Sequence, residues 1–181
     1  MVCRGIIIFY AEAQPVRFYT ENMLEIRPCR HDDYSAVAQL LRQLWPSFPI
    51  DDDRLQDTFV AGLNSRAHHF HCAVEDGHVI GFCSVIVKNS LWQQGSLAHV
   101  DELVVDKAAR GRGIGTQLLQ NAIAIATGHG AARIELDSAF HRTEAHQFYQ
   151  QHGFENRAYL FSKKLSAETE ARRHLPAQAK S

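Results

Sequence analysis

His99–Thr116 reads HVDELVVDKAARGRGIGT, and this stretch decides the fold. Val100, Leu103, Val104 and Val105 make a dense apolar strand. A basic, glycine-rich turn follows at residues 109–113, and a helical run begins at once with Ile114, Leu118, Leu119, Ala122 and Ile123. The first N–H groups of a helix have no intrahelical partner, and they sit at the positive end of the helix dipole. Such a turn is a seat for phosphate or pyrophosphate. Arg110 and Arg112 add fixed positive charge. A nucleoside-triphosphate loop needs Lys after its glycines, whereas Gly115-Thr116-Gln117 has none. Gly111, Gly113 and Gly115 form G-x-G-x-G, one residue short of the dinucleotide fingerprint, although Glu135 and Asp137 lie where its ribose-binding acid would fall. That fingerprint also follows the first strand of a βαβ unit, and here the glycines come after an apparent antiparallel hairpin. The remaining pattern is Arg-x-x-Gly-x-Gly, filled by Arg110, Gly113 and Gly115. An ordinary connection with glycines for tight packing is the plain alternative.

A second motif stands further on. Ala145–Phe154 reads AHQFYQQHGF, an A-x-x-F-Y-x-x-x-G-F pattern on a helical run. With both motifs in this order and one strand between them, the chain resembles the GCN5-related N-acetyltransferase superfamily over residues 24–165. Within it, the chain is most similar to aminoalkylphosphonate N-acetyltransferases. The shared residues are Trp92-x-x-Gly95, Glu102-Leu103-Val104-Val105, Ala109-Arg110-Gly111, Ala145-His146-x-Phe148-Tyr149 and the ending Phe161-Ser162-Lys163-Lys164-Leu165.

The resemblance implies an α/β (α+β) fold: a mixed, mostly antiparallel central sheet with helices on both faces. The elements read along the chain agree. Leu24–Arg27 alternates as a short strand should. Asp32 and Asp33 can cap a helix carrying Val37, Leu40, Leu41 and Leu44, which Pro46 ends. A second helix has Leu55, Phe59 and Leu63 on one face and Asp51–Asp53 at its positive end. A hairpin over Phe70–Val74 and Val79–Val87 turns through Asp76-Gly77. Leu97–Val105 leads to the glycine turn, and the next helix stops near Gly128. Arg133–Asp137 is a strand, Thr143–His152 a helix ended by Gly153, and Asn156–Lys164 the last strand. Residues 1–23 read as an extension outside the domain, because Met23 opens the first alternating strand. Residues 166–181 read as a loose tail.

Composition narrows the function. A chain of 181 residues supports one domain with a real core. A net charge of −1 points away from nucleic acid and from anionic membranes. The apolar run Ile6–Ala11 is too short to span a bilayer. Cys3, Cys29, Cys72 and Cys83 show no C-x-x-C or zinc spacing and read as buried or idle thiols of a cytoplasmic protein. His68, His69 and His71 have no acidic partners nearby in sequence, so no metal site is assigned.

The resemblance implies acetyl transfer from acetyl-coenzyme A, as cosubstrate, to a primary amine of a small molecule. The pyrophosphate would lie on N–H groups of Gly111, Arg112, Gly113, Ile114, Gly115 and Thr116, with the charge of Arg110 beside it. Backbone at a splay near Leu103, Val104 and Val105 would bind pantetheine and the thioester carbonyl, and Ser138, Arg142, Ala145 and Phe148 would complete the coenzyme site. A lysine-like amine has a pKa of about 10.4, so its nucleophilic form costs on the order of 4 kcal/mol at neutral pH. Glu102 is the candidate base: it is charged within an apolar strand and points away from the Leu103 face. Asp101 is the fallback and a substrate-side residue, with His141 and His146. Arg142 and His141, at a helix start, could receive an anionic substrate group or a coenzyme phosphate. Tyr149 is the candidate hydrogen-bond donor to the departing thiolate. Full proton transfer from a phenol near pKa 10 to a thiolate near 8.5 is uphill by roughly 2 kcal/mol, so it must be coupled to proton loss from the amine. Aminoglycoside and peptide acetyltransferases, and a coenzyme A-binding sensor without chemistry, are the rival readings. A homodimer is left open.

Overall fold

The computed structural model describes residues 24–165; the expectations for residues 1–23 and 166–181 lie outside the described residues. The chain divides into two compact units, 1–135 and 136–181. The first holds β1 (Glu25–Pro28), α1 (Tyr34–Leu44), α2 (Asp52–Leu63), β2 (His68–Glu75), β3 (His78–Ser90), β4 (Gly95–Val105) and α3 (Ile114–Gly128). β5 (Ile134–Leu136) lies at the boundary, and α4 (Thr143–Gln151) belongs to the second unit. The sheet order is β1-β2-β3-β4-β5, and the first three pairings are antiparallel.

The β2–β3 turn follows from two residues. Asp76 and Gly77 take φ of 50° and 79°, the left-handed pair that a tight hairpin needs. Strand alternation then sorts side chains between two faces. Cys72, Val74, Phe82 and Val104 meet Val37, Leu40 and Leu41 of α1 and Phe59 of α2 in one core. Ala73 and Gly81 take the other face, where a Cβ on Gly81 would lie 3.0 Å from Leu118 of α3. Helices thus cover both faces of the sheet, and α3 is anchored by Ile114, Leu118 and Leu119, each at most 2 % exposed.

Two local expectations are corrected. Asp33 does not cap α1 through its side chain. Its carboxylate accepts instead from Arg30 N at 2.7 Å and from both terminal nitrogens of Arg27 at 2.7 and 2.8 Å. A guanidinium fork outcompetes one backbone N–H for a buried carboxylate. Asp51 does cap α2, accepting from Arg54 N at 3.2 Å. The last strand expected over Asn156–Lys164 is absent: residues 154–165 take no strand conformation, and Tyr159 and Phe161 are 77 % and 90 % exposed. Alternation supplies one face of a strand, but only a neighbour's backbone supplies the ladder.

Candidate active site

β4 carries an irregularity at the residues singled out for catalysis. Ser84 lies opposite Glu102 while Val85 lies opposite Val100, so Asp101 is an extra residue on β4. One extra residue makes a β-bulge and exchanges the faces on either side of it. Glu102 and Val104 therefore turn to the α1 side, whereas Val100 keeps to the α3 side. Asp101 is left exposed, and its carboxylate lies 2.9 Å from His99 Nδ1.

Glu102 is half-buried beside Ser84, whose hydroxyl donates to its carboxylate and accepts from Glu102 N at 3.1 Å. Burial pushes the Glu102 carboxyl above the usual carboxylate range; the Ser84 hydroxyl opposes that shift, Asp101 adds to it, and His99 opposes it. A carboxylate raised toward the working pH is a stronger base than a solvated one. Sequence reasoning did not find Ser84. Its signal was a hydroxyl inside the apolar run Phe82–Val87, but its partner is fixed only by cross-strand register.

The backbone beyond the bulge is oriented by the ladder. Asp106 N donates to Ile80 O at 2.9 Å. In an antiparallel pair, residues alternate between bonding their neighbour and facing away from it. Leu103 and Val105, opposite Cys83 and Gly81, thus direct their N–H and C=O groups away from β3. Their side chains lie on the α3 face, so the side chains and the backbone groups of these residues point in different directions. The Val105 carbonyl accepts from Arg110 Nε at 3.1 Å.

The turn at 106–113 is held from two sides. Asp106 accepts from Ala108 N at 2.8 Å and from Gln43 Nε2 of α1 at 2.9 Å, and Gln43 accepts from Lys107 N at 3.1 Å. Gly111 and Gly113 take φ of 75° and 77°, and no atom lies within 4 Å of where a Cβ would stand on either. The space above these glycines is open. The first α3 bond runs from Gln117 N to Gly113 O at 3.1 Å, and no side chain caps the helix. The N–H groups of Ile114, Gly115 and Thr116 precede that bond, so this helix start fits a pyrophosphate. Arg112 also meets a carboxylate from another strand. It forks onto Glu75 of β2, with one contact at 3.0 Å and a second shorter one, and this pairing holds the Glu75 carboxyl below the usual range. Its charge is thus shared with a carboxylate. Glu75 was not singled out from the sequence, because it is remote from the glycines along the chain.

In the second unit, α4 carries the second motif. Tyr149 packs against Phe148 and Phe154, with ring centroids at 5.3 and 5.8 Å. Gly153 at φ 83° ends the helix, and Phe154 N returns to Tyr149 O at 3.0 Å. Ala145 and Phe148 are half-buried, as are Ser138 and Arg142. His146 Nε2 lies 3.0 Å from Ala139 O, which ties the helix to the preceding loop, and His141 is exposed. In β2, burial is the chief cause that shifts His69 and His71 down.

Comparison with known proteins agrees with this geometry. The Acetyltransferase (GNAT) family profile matches residues 34–154. The aminoalkylphosphonate N-acetyltransferase of Salmonella typhimurium is 31% identical over 141 residues, covering 78% of this chain and 91% of that protein. Glucosamine 6-phosphate N-acetyltransferase 1 of rice is 31% identical over 134 residues, covering 71% and 79%. Among solved structures, an aminoglycoside N-acetyltransferase in complex with CoA superposes with a TM-score of 0.70 at 22% identity, covering 81% of this chain and 97% of that one. Glucosamine-6-phosphate N-acetyltransferase from Arabidopsis thaliana gives 0.68 at 22%, covering 80% and 99%. The chain belongs to the GNAT acetyltransferase family. It is an N-acetyltransferase that uses acetyl-CoA. Among the described residues, no helix is long and apolar enough to cross a membrane.

Proposed function

We propose that this enzyme acetylates the primary amine of a small molecule bearing a phosphonate or phosphate group, in the cytoplasm. Support comes from two curated relatives, whose names specify an aminoalkylphosphonate and glucosamine 6-phosphate as their substrates. Acetyl-CoA supplies an activated acetyl group. The N–H groups of residues 111–116 hold its pyrophosphate, and backbone groups of Leu103 and Val105 receive the pantetheine arm and the thioester oxygen. Polarising that oxygen by a backbone donor is worth about 10²–10³ in rate. Glu102 takes the proton of the ammonium, directly or through water, and the freed amine attacks. Tyr149 donates to the sulfur as the thiolate departs. Ser138, Arg142, Ala145 and Phe148 complete the coenzyme site in this reading. Asp101, His141 and His146 face the substrate, and His141 with Arg142 offers the anionic group a counter-charge.

The observation that carries the reading is the bulge at Asp101, beyond which a half-buried, Ser84-bonded Glu102 stands on the opposite face of β4 from Val100. The test is thiol release from acetyl-CoA across a panel of aminoalkylphosphonates, glucosamine 6-phosphate, an aminoglycoside and a lysine peptide. Preference for the first two supports the proposal. Preference for the aminoglycoside or the peptide overturns it in favour of those classes, and coenzyme binding without turnover favours a sensor.

A further inference from the structure

We propose that Cys29 and Cys72 are a modification site, a peroxide-sensitive thiol pair that forms a reversible disulfide stapling β1 to β2. Nothing in the acetyl-transfer chemistry uses either residue. They lie 43 positions apart in the chain, yet their sulfurs are 2.7 Å from each other. The β1–β2 register explains the meeting. Arg27 is directly opposite Cys72, and Cys29 N bonds Phe70 O at 2.9 Å, so Cys29 is the diagonal neighbour of Cys72 on the same face. Both are free thiols.

Access and proximity favour oxidation, and the proton held on Cys29 slows it. Cys72 is fully buried, but Cys29 lines an open groove of about 500 Å³ with Pro28, Phe70 and His71, which admits a small oxidant. Either sulfur can donate to the other, and Arg27 lies on the same face as positive charge. The hydrogen bond to Cys72, together with burial, holds the Cys29 proton far above the ordinary thiol range.

Hydrogen peroxide is the oxidant. One sulfur attacks the peroxide oxygen and becomes a sulfenic acid, releasing water. The second thiol attacks that sulfur, forms the S–S bond and releases a second water. Two electrons pass from the sulfurs to the peroxide. Zinc is the competing occupant, since Asp33 stands within 4.8 Å of both sulfurs. That carboxylate is already engaged by Arg27 and Arg30 N, which leaves, among the described residues, two sulfurs and no third free ligand in this cluster.

The experiment uses the full chain. Native protein is exposed to hydrogen peroxide, alkylated in denaturant and digested without reductant. The expected result is a Cys29–Cys72 cross-linked peptide, with two of the four cysteines lost to alkylation. The oxidised protein should melt roughly 5–15 °C higher, because the bond closes the loop that carries α1 and α2. Dithiothreitol should reverse both changes. A double variant Cys3→Ser, Cys83→Ser should keep the shift, and Cys29→Ser should lose it. Sulfenic or sulfinic acid without a cross-link overturns the proposal. So does a cross-link to Cys3 or Cys83, or a native mass with one zinc that shields the pair. The wild-type peptide map decides the matter even if a variant fails to fold.

Discussion

At the scale of the residue, the environment of Glu102 sets the predicted chemistry. Its carboxyl is raised chiefly by burial, and the Ser84 hydroxyl pulls it back down. A base works in its deprotonated form, so kcat/KM should fall as pH drops through the raised Glu102 value. Ser84→Ala removes the group that lowers it, and the acidic limb of the kcat/KM profile should move to higher pH. A purely structural Ser84 would leave that limb in place. Glu102→Gln should cost about 10²–10⁴ near neutral pH. The deficit should shrink as pH climbs toward the amine's own pKa of about 10.4, where no base is needed. A mutant profile that only scales the wild-type curve removes Glu102 from the mechanism. Tyr149 is tested differently, because its proposed hydrogen bond exists only as charge develops on sulfur. Tyr149→Phe keeps the ring among Phe148 and Phe154, so packing survives. It should lower kcat and kcat/KM together by about 10–10³ and leave coenzyme A affinity nearly unchanged. Wild-type turnover in steady-state assays would leave solvent as the proton donor.

At the scale of the element, the turn into α3 is the part most open to test. Gly113 is the N-cap of α3 at φ 77°, a conformation that costs an L-residue about 1–2 kcal/mol. Nothing lies within 4 Å of its missing Cβ, so an added side chain would meet the ligand rather than the protein. Gly113→Asp adds like charge beside a pyrophosphate, a repulsion of several kcal/mol. Calorimetry should find coenzyme A affinity reduced about a hundredfold or more. Gly113→Ala, which carries only the backbone strain, should lose far less. Equal losses in the two variants would mean the turn is merely a packing connection. Most of this element was legible in the sequence, since glycine spacing and the helix period are local signals. The Arg112–Glu75 pair was not, because it depends on where the end of β2 stands.

For the whole molecule, stability against acid follows from the Arg27–Asp33 pair, whose side chains are 14% and 9% exposed. Its hydrogen bonds to Arg27 hold the Asp33 carboxyl below its ordinary value. A group depressed in the folded state contributes stability above its unfolded pKa and loses it as pH falls through the folded one. Asp33→Asn should therefore destabilise by about 3 kcal/mol at neutral pH. The difference from wild type, read by denaturant titration, should stay flat above about pH 5 and narrow below about pH 4. A constant difference down to pH 2 would exclude this pair as the source. The order of the elements from β1 to α4, the hairpin at Asp76-Gly77 and the glycine turn into α3 were all legible in the sequence alone, because periodicity, capping and left-handed glycines act over a few residues. Tertiary structure alone decided the bulge at Asp101, the Ser84–Glu102 bond, the Arg112–Glu75 fork, the meeting of Cys29 with Cys72 and the loss of the expected strand over Asn156–Lys164. Each of these depends on which backbone lies alongside which. Register is fixed by the packed sheet as a whole, and a one-residue slip in it sends every side chain to the other face.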